Sequence, residues 1–503
     1  MNLLYDISKY LENINTDSLC NLLLYDPRQP LLFNTGLFLV LFAAFLIIYR
    51  GLRFSPTIKK LFVIAFSLYF YYKSSAECWF ILLGVCVSDY LLGRWLGCVS
   101  RRWLRRGIVA LNVAANVGML VYFKYTNLLL STFADFTDRH FDALDIILPA
   151  GISFFTFRSI SYLVDIYRGH IAPARNFLDY TFYLTFFPPL LAGPVVRAKD
   201  MLPQVSADPH ATREMVGEGL FLIMSGLVKK VIIADYISGN FVDRIFDNPS
   251  LYSGFENLMG CFGFTLQLYC DFSGYSDMAI GIALLLGYRF KANFNAPFKS
   301  QNPTEFWRRW HISLSSWLRD YIYIPLGGNR HGKNRQRVNL MATMLIGGIW
   351  HGASWMYLLW GAYHGLLLVL HKAVSRIWHA PAMLQGTFML KCINVSITLA
   401  LVVVGFTFFR ASGPDALGDM AFQILNDFRP GIAPQFVEAY MLIVAAVFTG
   451  YVMHFMPRDW TTGATRTYTA MPLLLQAILL TMVLFMVIQT RQTDLVPFIY
   501  LQY

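Results

Sequence analysis

The chain has 503 residues, of which 56% are hydrophobic, 16% aromatic and only 14% charged, with a mean hydropathy of +0.47. Soluble globular chains carry about 25% charge, so this composition excludes a disordered protein and argues against a large soluble enzyme. The formal charge of +11 does not point to nucleic acid, because the basic residues cluster in short stretches between apolar ones, as the cytoplasmic loops of a membrane protein do: Arg94, Arg101, Arg102, Arg105 and Arg106; Lys229 and Lys230; Arg330, Lys333, Arg335 and Arg337.

In chain order, residues 1–30 carry Asp6, Glu12, Asp17, Asp26 and Arg28 and lack the apolar core and small-residue cleavage site of a signal peptide. They read as an amphipathic lead-in. A bilayer crossing takes about 20 mostly apolar residues. Such stretches fall near 31–49, 59–73, 78–97, 108–124, 146–166, 178–195, 217–236, 255–286, 338–370, 388–409, 437–456 and 471–490. The two longest, 255–286 and 338–370, have room for two passes each or for a re-entrant piece. Runs such as Leu37–Ile48 are apolar on every face, unlike the alternating strands of an outer-membrane barrel. The predicted fold is therefore an all-α polytopic membrane protein. Without an internal repeat or a Ser/Gly-rich linker, residues 31–503 are expected to form a single transmembrane domain. The seven cysteines show no C-x-x-C pair and read as small core residues.

Residues 287–337 break the apolar pattern. They mix Trp307, Trp310, Trp317, Tyr321 and Tyr323 with Lys and Arg, a composition suited to the headgroup interface. Thr304 followed by Phe306–Tyr321 predicts one helix, with Pro303 before it and Pro325 stopping it. The basic Gly327–Arg337 stretch after it is expected to be a cytosolic loop.

Chemistry is sought among ionisable groups in apolar surroundings, which are costly and commonly line a cavity or a path. His351 lies in GGIWHGASW, where small residues allow a backbone or a thin ligand to approach the imidazole. A neutral histidine there suits a general base taking a proton from an alcohol, and equally a packed histidine bonded to a neighbouring helix. His311, in EFWRRWHISLSSW, is the second candidate, with an interfacial histidine as the alternative. On one continuous helix its neighbours would be Trp307, Arg308, Leu314 and Ser315. Neither histidine has a third metal ligand at helical spacing, so no metal is expected. LYCDFSGYSDMAIG places Asp271 and Asp277, with Ser273 and Tyr275, inside an apolar helix, where the carboxylates need partners; Arg308 or Arg319 are the candidates.

Seven segments in this order, ILPAGISFFTFRSISYLVDIYRG, FFPPLLAGPVVR, LYCDFSGYSDMAIG, FWRRWHISLSSWLRDYIYIPLGGNR, GGIWHGASW, WGAYHG and VGFTFFRA, resemble the membrane-bound O-acyltransferase (MBOAT) family, in its bacterial cell-surface branch. The resemblance runs from about residue 31 to the C-terminus. It implies a ring of about 11 or more tilted helices with re-entrant segments around a central tunnel, in the bacterial inner membrane. It also implies that His351 and His311 are catalytic, and that an acyl group is taken from a cytosolic thioester, acetyl-CoA or an acylated carrier protein, and passed to the outside. An extracytoplasmic partner of esterase fold would finish transfer onto a polysaccharide; no bound cofactor and no nucleic acid are required. A thioester is activated enough that a positioned base and a hydroxyl suffice. Arg330, Lys333, Arg335 and Arg337 suit the donor's phosphates or an acidic carrier. Asp271, Ser273, Tyr275, Asp277, Trp307, Arg308 and Arg319 would form a polar network along the tunnel. In the ending PFIYLQY, Tyr500 is either an interfacial anchor or, by resemblance to other surface-acylation systems, a temporary acyl acceptor. Acetyl versus D-alanyl transfer stays open at this point, as does a transporter or flippase, although no repeated halves of a transporter are visible.

Overall fold

The computed structural model describes residues 21–377, 386–490, 498 and 499, and among these no β-strand occurs. Residues 1–20 of the expected lead-in and Tyr500 lie outside the described residues. In chain order the helices are α1 (Gly36–Gly51), α2 (Pro56–Ser75), α3 (Trp79–Cys98), α4 (Arg102–Leu120), α5 (Thr126–Phe136), α6 (Ile152–Tyr167), α7 (Phe177–Thr185), α8 (Ala198–Ala207), α9 (Arg213–Leu227), α10 (Asp243–Asp247) and α11 (Gly254–Leu285). They continue as α12 (Pro303–Arg309), α13 (Ile312–Leu318), α14 (Gly332–His351), α15 (Trp355–Ile377), α16 (Phe388–Arg410), α17 (Pro414–Asn426), α18 (Ala433–Ala439), α19 (Met441–Phe455), α20 (Arg458–Ala470) and α21 (Leu473–Thr490). The backbone widens into π-helical turns over Val121–Tyr125, Val228–Asp235, Ser238–Val242 and Arg319–Tyr323.

Five helical runs among the described residues are long and apolar enough to cross a bilayer: Gly36–Phe54, Pro56–Cys98, Arg102–Phe136, Phe388–Arg410 and Leu473–Thr490. Pro430–Ala439 and Met441–Phe455 qualify together, bent by 98° at their junction. The protein is an all-α, multi-pass membrane protein. The 255–286 stretch, which had room for two passes, is one unbroken helix; 338–370 is a hairpin of α14 and α15 turning at residues 352–354.

The chain divides into two compact units, one of Met1–Val117 and Asp145–Leu191, the other of Gly118–Leu144 and Ala192–Tyr503. In the first, Thr35 caps α1 by accepting the Phe38 N–H at 3.3 Å. Phe38, Phe42 and Phe45 then fall on one face of α1 and meet Phe66, Phe70 and Phe187, with Phe45 and Phe66 ring centroids 4.4 Å apart. Ile47, on another face, is 75% exposed, as a side chain solvated by lipid tails should be. Asp89 of α3 is fully buried and accepts from Asn112 (2.7 Å), Ser159 (2.9 Å) and Tyr180 (2.6 Å), which ties α3, α4, α6 and α7 through one satisfied carboxylate.

The second unit is built around α11, whose start is fixed by a capping box between Ser253 and Glu256. A Cβ on Gly219 of α9 would lie 2.8 Å from the Gly281 carbonyl oxygen, and one on Gly226 would lie 2.5 Å from that of Gly274. The falling numbers on α11 against rising numbers on α9 define an antiparallel pair at backbone contact. Only glycine permits that approach.

Candidate active site

His311 does not lie within the single helix expected over 304–321. It is the residue where that helix breaks, between α12 and α13, in the left-handed region at φ 41° and ψ 58°. The reason is the segment before it. Ile312 N–H donates to the Asn293 carbonyl at 2.8 Å, and Asn295 N–H donates to the Arg309 carbonyl at 3.0 Å, so residues 293–295 supply the backbone partners a continuous helix would have supplied itself. The Asn293 side-chain oxygen also accepts from the Ser313 N–H at 3.2 Å and hydroxyl at 2.8 Å, while its amide nitrogen donates to Ser276 at 3.2 Å. With the amide oriented in this way, His311 Nδ1, 3.1 Å from that oxygen, is the donor, and Nε2 is the ring's basic nitrogen. The imidazole is buried, edge-on to Phe272 at 4.6 Å. Non-glycine residues held at positive φ are uncommon and concentrate at functional sites.

His351 is the last residue of α14. The α14–α15 hairpin closes at backbone contact, since a Cβ on Gly348 would sit 2.4 Å from the Tyr357 carbonyl oxygen. This packs the His351 ring among Trp360 at 4.8 Å, Trp350 at 5.0 Å and Phe409 at 5.3 Å. The Trp350 indole is also 6.2 Å from the His311 ring, so one indole neighbours both histidines. His364, on α15, lies edge-on to Trp360 at 4.9 Å and to Trp307 at 5.3 Å. Among the described residues no group of three or more His, Cys, Asp and Glu is placed to hold a metal ion.

The polar network expected along α11 is divided. Asp271 pairs with Lys230 at 2.5 Å, and Asp277 pairs with Lys229 at 2.6 Å. Lys230 also reaches Asp235 at 2.7 Å. Lys230 is therefore a counter-ion to buried carboxylates and Lys229 to a partly exposed one, which corrects their reading as loop charges that mark topology. Arg308 and Arg319 do not serve these carboxylates. Ser273 is buried on α11, and Tyr275 packs edge-on against Phe498 at 4.3 Å. Ile499 N–H donates to Asp271 at 3.1 Å, so the chain is tied to this ion pair one residue before Tyr500.

Trp307, Arg308 and Arg319 instead line a cavity of about 420 Å³ together with Ser315, Ser316 and Met344. Arg319 donates to Asp320 at 2.7 Å, and Arg197 donates to the other carboxylate oxygen at 2.7 Å. Partial burial alone would raise the Asp320 pKa, but the hydrogen bonds from Arg319 and Arg197 outweigh it and hold the carboxyl below the usual range. Arg330, Lys333, Arg335 and Arg337 are all exposed; Arg330 lies in the turn before α14, but Lys333, Arg335 and Arg337 are not in a loop and occupy the first turns of that helix. Cations are unfavourable against the positive end of a helix dipole, so their presence there concentrates positive potential at one spot.

Sequence reasoning missed Asn293, Trp350, Trp360 and His364 as neighbours of the histidines. Trp350 and His364 stand inside the quoted motifs GGIWHGASW and WGAYHG, which was the available signal; Asn293 carried none.

The site is thus a set of buried imidazoles packed among tryptophans in a multi-pass helical protein. Residues 170–409 match the membrane-bound O-acyltransferase family. The chain is 41% identical over 393 residues to the probable alginate O-acetylase of Pseudomonas aeruginosa, covering 76% of this chain and 72% of that protein. It is 38% identical over 411 residues to the peptidoglycan O-acetyltransferase of Helicobacter pylori, covering 76% and 77%. It is 27% identical over 352 residues to the teichoic acid D-alanyltransferase of Bacillus subtilis, covering 65% and 88%. The chain belongs to the MBOAT family and is a membrane O-acyltransferase.

Proposed function

We propose that the protein moves an acetyl group from a cytosolic thioester, acetyl-CoA or an acylated carrier protein, across the bacterial inner membrane for O-acetylation of an exported or cell-surface polysaccharide. The acetyl group is favoured over D-alanyl because the relatives at 38–41% identity carry O-acetylase and O-acetyltransferase names, whereas the D-alanyltransferase relative stands at 27%. The observation that carries the catalytic part is that His311, at the break between α12 and α13, and His351, at the end of α14, both pack against the ring of Trp350.

In this reading His351 takes the proton of an acceptor hydroxyl as its oxygen attacks the thioester carbonyl carbon. The C–O bond forms, the C–S bond breaks, and the proton passes to the departing thiolate. His311, with its Nδ1–H held by Asn293, presents Nε2 to the same reaction. Arg330, Lys333, Arg335 and Arg337 attract the donor's phosphates, and Tyr500 is the temporary acceptor before an extracytoplasmic esterase-fold partner completes the transfer.

The test uses the purified full chain in liposomes with radiolabelled acetyl-CoA, following CoA thiol release. His351→Ala should lower the rate about 10²–10⁴-fold, the usual loss of a general base, with an unchanged elution profile in detergent. A variant that keeps more than half the wild-type rate would remove His351 from the mechanism.

A further inference from the structure

A base at the last residue of a helix is poorly placed unless something outside the helix holds it. The final carbonyls of a helix have no intrahelical donor, and many helices end by folding back a glycine N–H onto them. α14 does not end in that way: Gly352 is extended, at φ −167° and ψ 163°. The carbonyls are met from elsewhere. Lys124 Nζ donates to the Trp350 carbonyl at 2.9 Å and to the His351 carbonyl at 2.8 Å, and the Tyr125 hydroxyl donates to that of Ile349. Both residues come from the π-helical turn Val121–Tyr125 between α4 and α5, where the widened backbone sets consecutive side chains against one helix end.

We propose that Lys124 is a positioning residue for acyl transfer, whose ammonium locks the last turn of α14 and so fixes the His351 imidazole among Trp350, Trp360 and Phe409. An ammonium is the right group for this. It offers three N–H donors on one atom, enough for two adjacent carbonyls, and its charge suits the negative end of the helix dipole. One of its two acceptors is the carbonyl of His351 itself, so loss of the bond frees the backbone that carries the ring. Productive geometry tolerates only about 0.5 Å of drift, and misplacement by about 1 Å can cost 10²-fold in rate.

The inference rests on His351 being the base, so the experiment separates the two. Lys124→Met keeps the apolar stem and removes the donors, and Lys124→Arg restores donors. With acetyl-CoA as donor, Lys124→Met should lose about 10–10²-fold in kcat while KM stays within about twofold, and Lys124→Arg should recover most of the loss. Hydrogen exchange of the amides at 347–353 needs no donor; it should accelerate in Lys124→Met and return toward wild type in Lys124→Arg. A wild-type kcat in Lys124→Met beside an inactive His351→Ala overturns the inference alone. Unchanged exchange at 347–353 overturns it whatever the activity. A kcat loss matched by a fall in Tm and not rescued by arginine makes Lys124 merely structural and also overturns it. An active His351→Ala removes the reading beneath it.

Discussion

The α9–α11 seam and the corner between α13 and α14 both bury titratable side chains among apolar helices, and they treat them in opposite ways. At the seam each carboxylate has its own lysine: Asp271 with Lys230, Asp277 with Lys229. At the corner the imidazoles of His311 and His351 are surrounded by rings, with hydrogen bonds reaching His311 through Asn293 and the backbone of His351 through Lys124. The difference follows from chemistry. A buried carboxylate is tolerable only when a counter-ion or hydrogen-bond donors satisfy it, and once satisfied it has little left to offer a substrate. A neutral imidazole needs no counter-ion and keeps one basic nitrogen while the other is tied. The seam therefore reads as a latch, and the corner has the chemistry that the proposed reaction requires.

The comparison is tested most severely at the latch. Lys230 is fully buried between two carboxylates, and Lys230→Met should destabilise the protein by about 3–5 kcal/mol by leaving them without a cation, lowering Tm and activity together. Lys229→Met sharpens the point: that pair is about one-fifth exposed on each side (19% and 22%), and its loss should cost less than that of Lys230. Thermal melting in detergent reads both, and equal shifts would mean that burial does not decide the value of these pairs.

Asn293→Ala comes next. It strands the His311 Nδ1–H, the Ser313 N–H and the Ser313 hydroxyl, and should cost about 1–3 kcal/mol of stability while lowering the transfer rate more than the Lys229 variant does. A silent variant would show that the break at His311 is held by backbone pairing alone. The smallest effect on the fold is expected where α14 begins. Replacing Arg330, Lys333, Arg335 and Arg337 by glutamate should leave Tm nearly unchanged, because all four are exposed. It should raise KM for acetyl-CoA at low salt, with the gap narrowing toward about 1 M, where the Debye length is about 3 Å. An unchanged KM at low ionic strength would return these residues to a topological role.

By itself the amino-acid sequence determined the helical, membrane-crossing nature of the chain, the break in the apolar pattern over residues 287–337 and the two histidines to examine. These are read from local quantities: hydropathy over a bilayer's length, aromatic and basic mixing, and an ionisable residue where none should be cheap. Only the tertiary structure decided which charges meet and where the backbone turns. Lys230 finds Asp271 across 41 residues, and Lys124 finds His351 across 227. Neither separation leaves a periodic trace, so Lys229 and Lys230 looked like loop charges and Lys124 like nothing at all. The helix expected through His311 was likewise sound on local propensity. It breaks because Asn293 and its neighbours, brought in from 18 residues upstream, offer its backbone and side-chain groups better-placed partners than the helix does, and such competition exists only once the chain has folded.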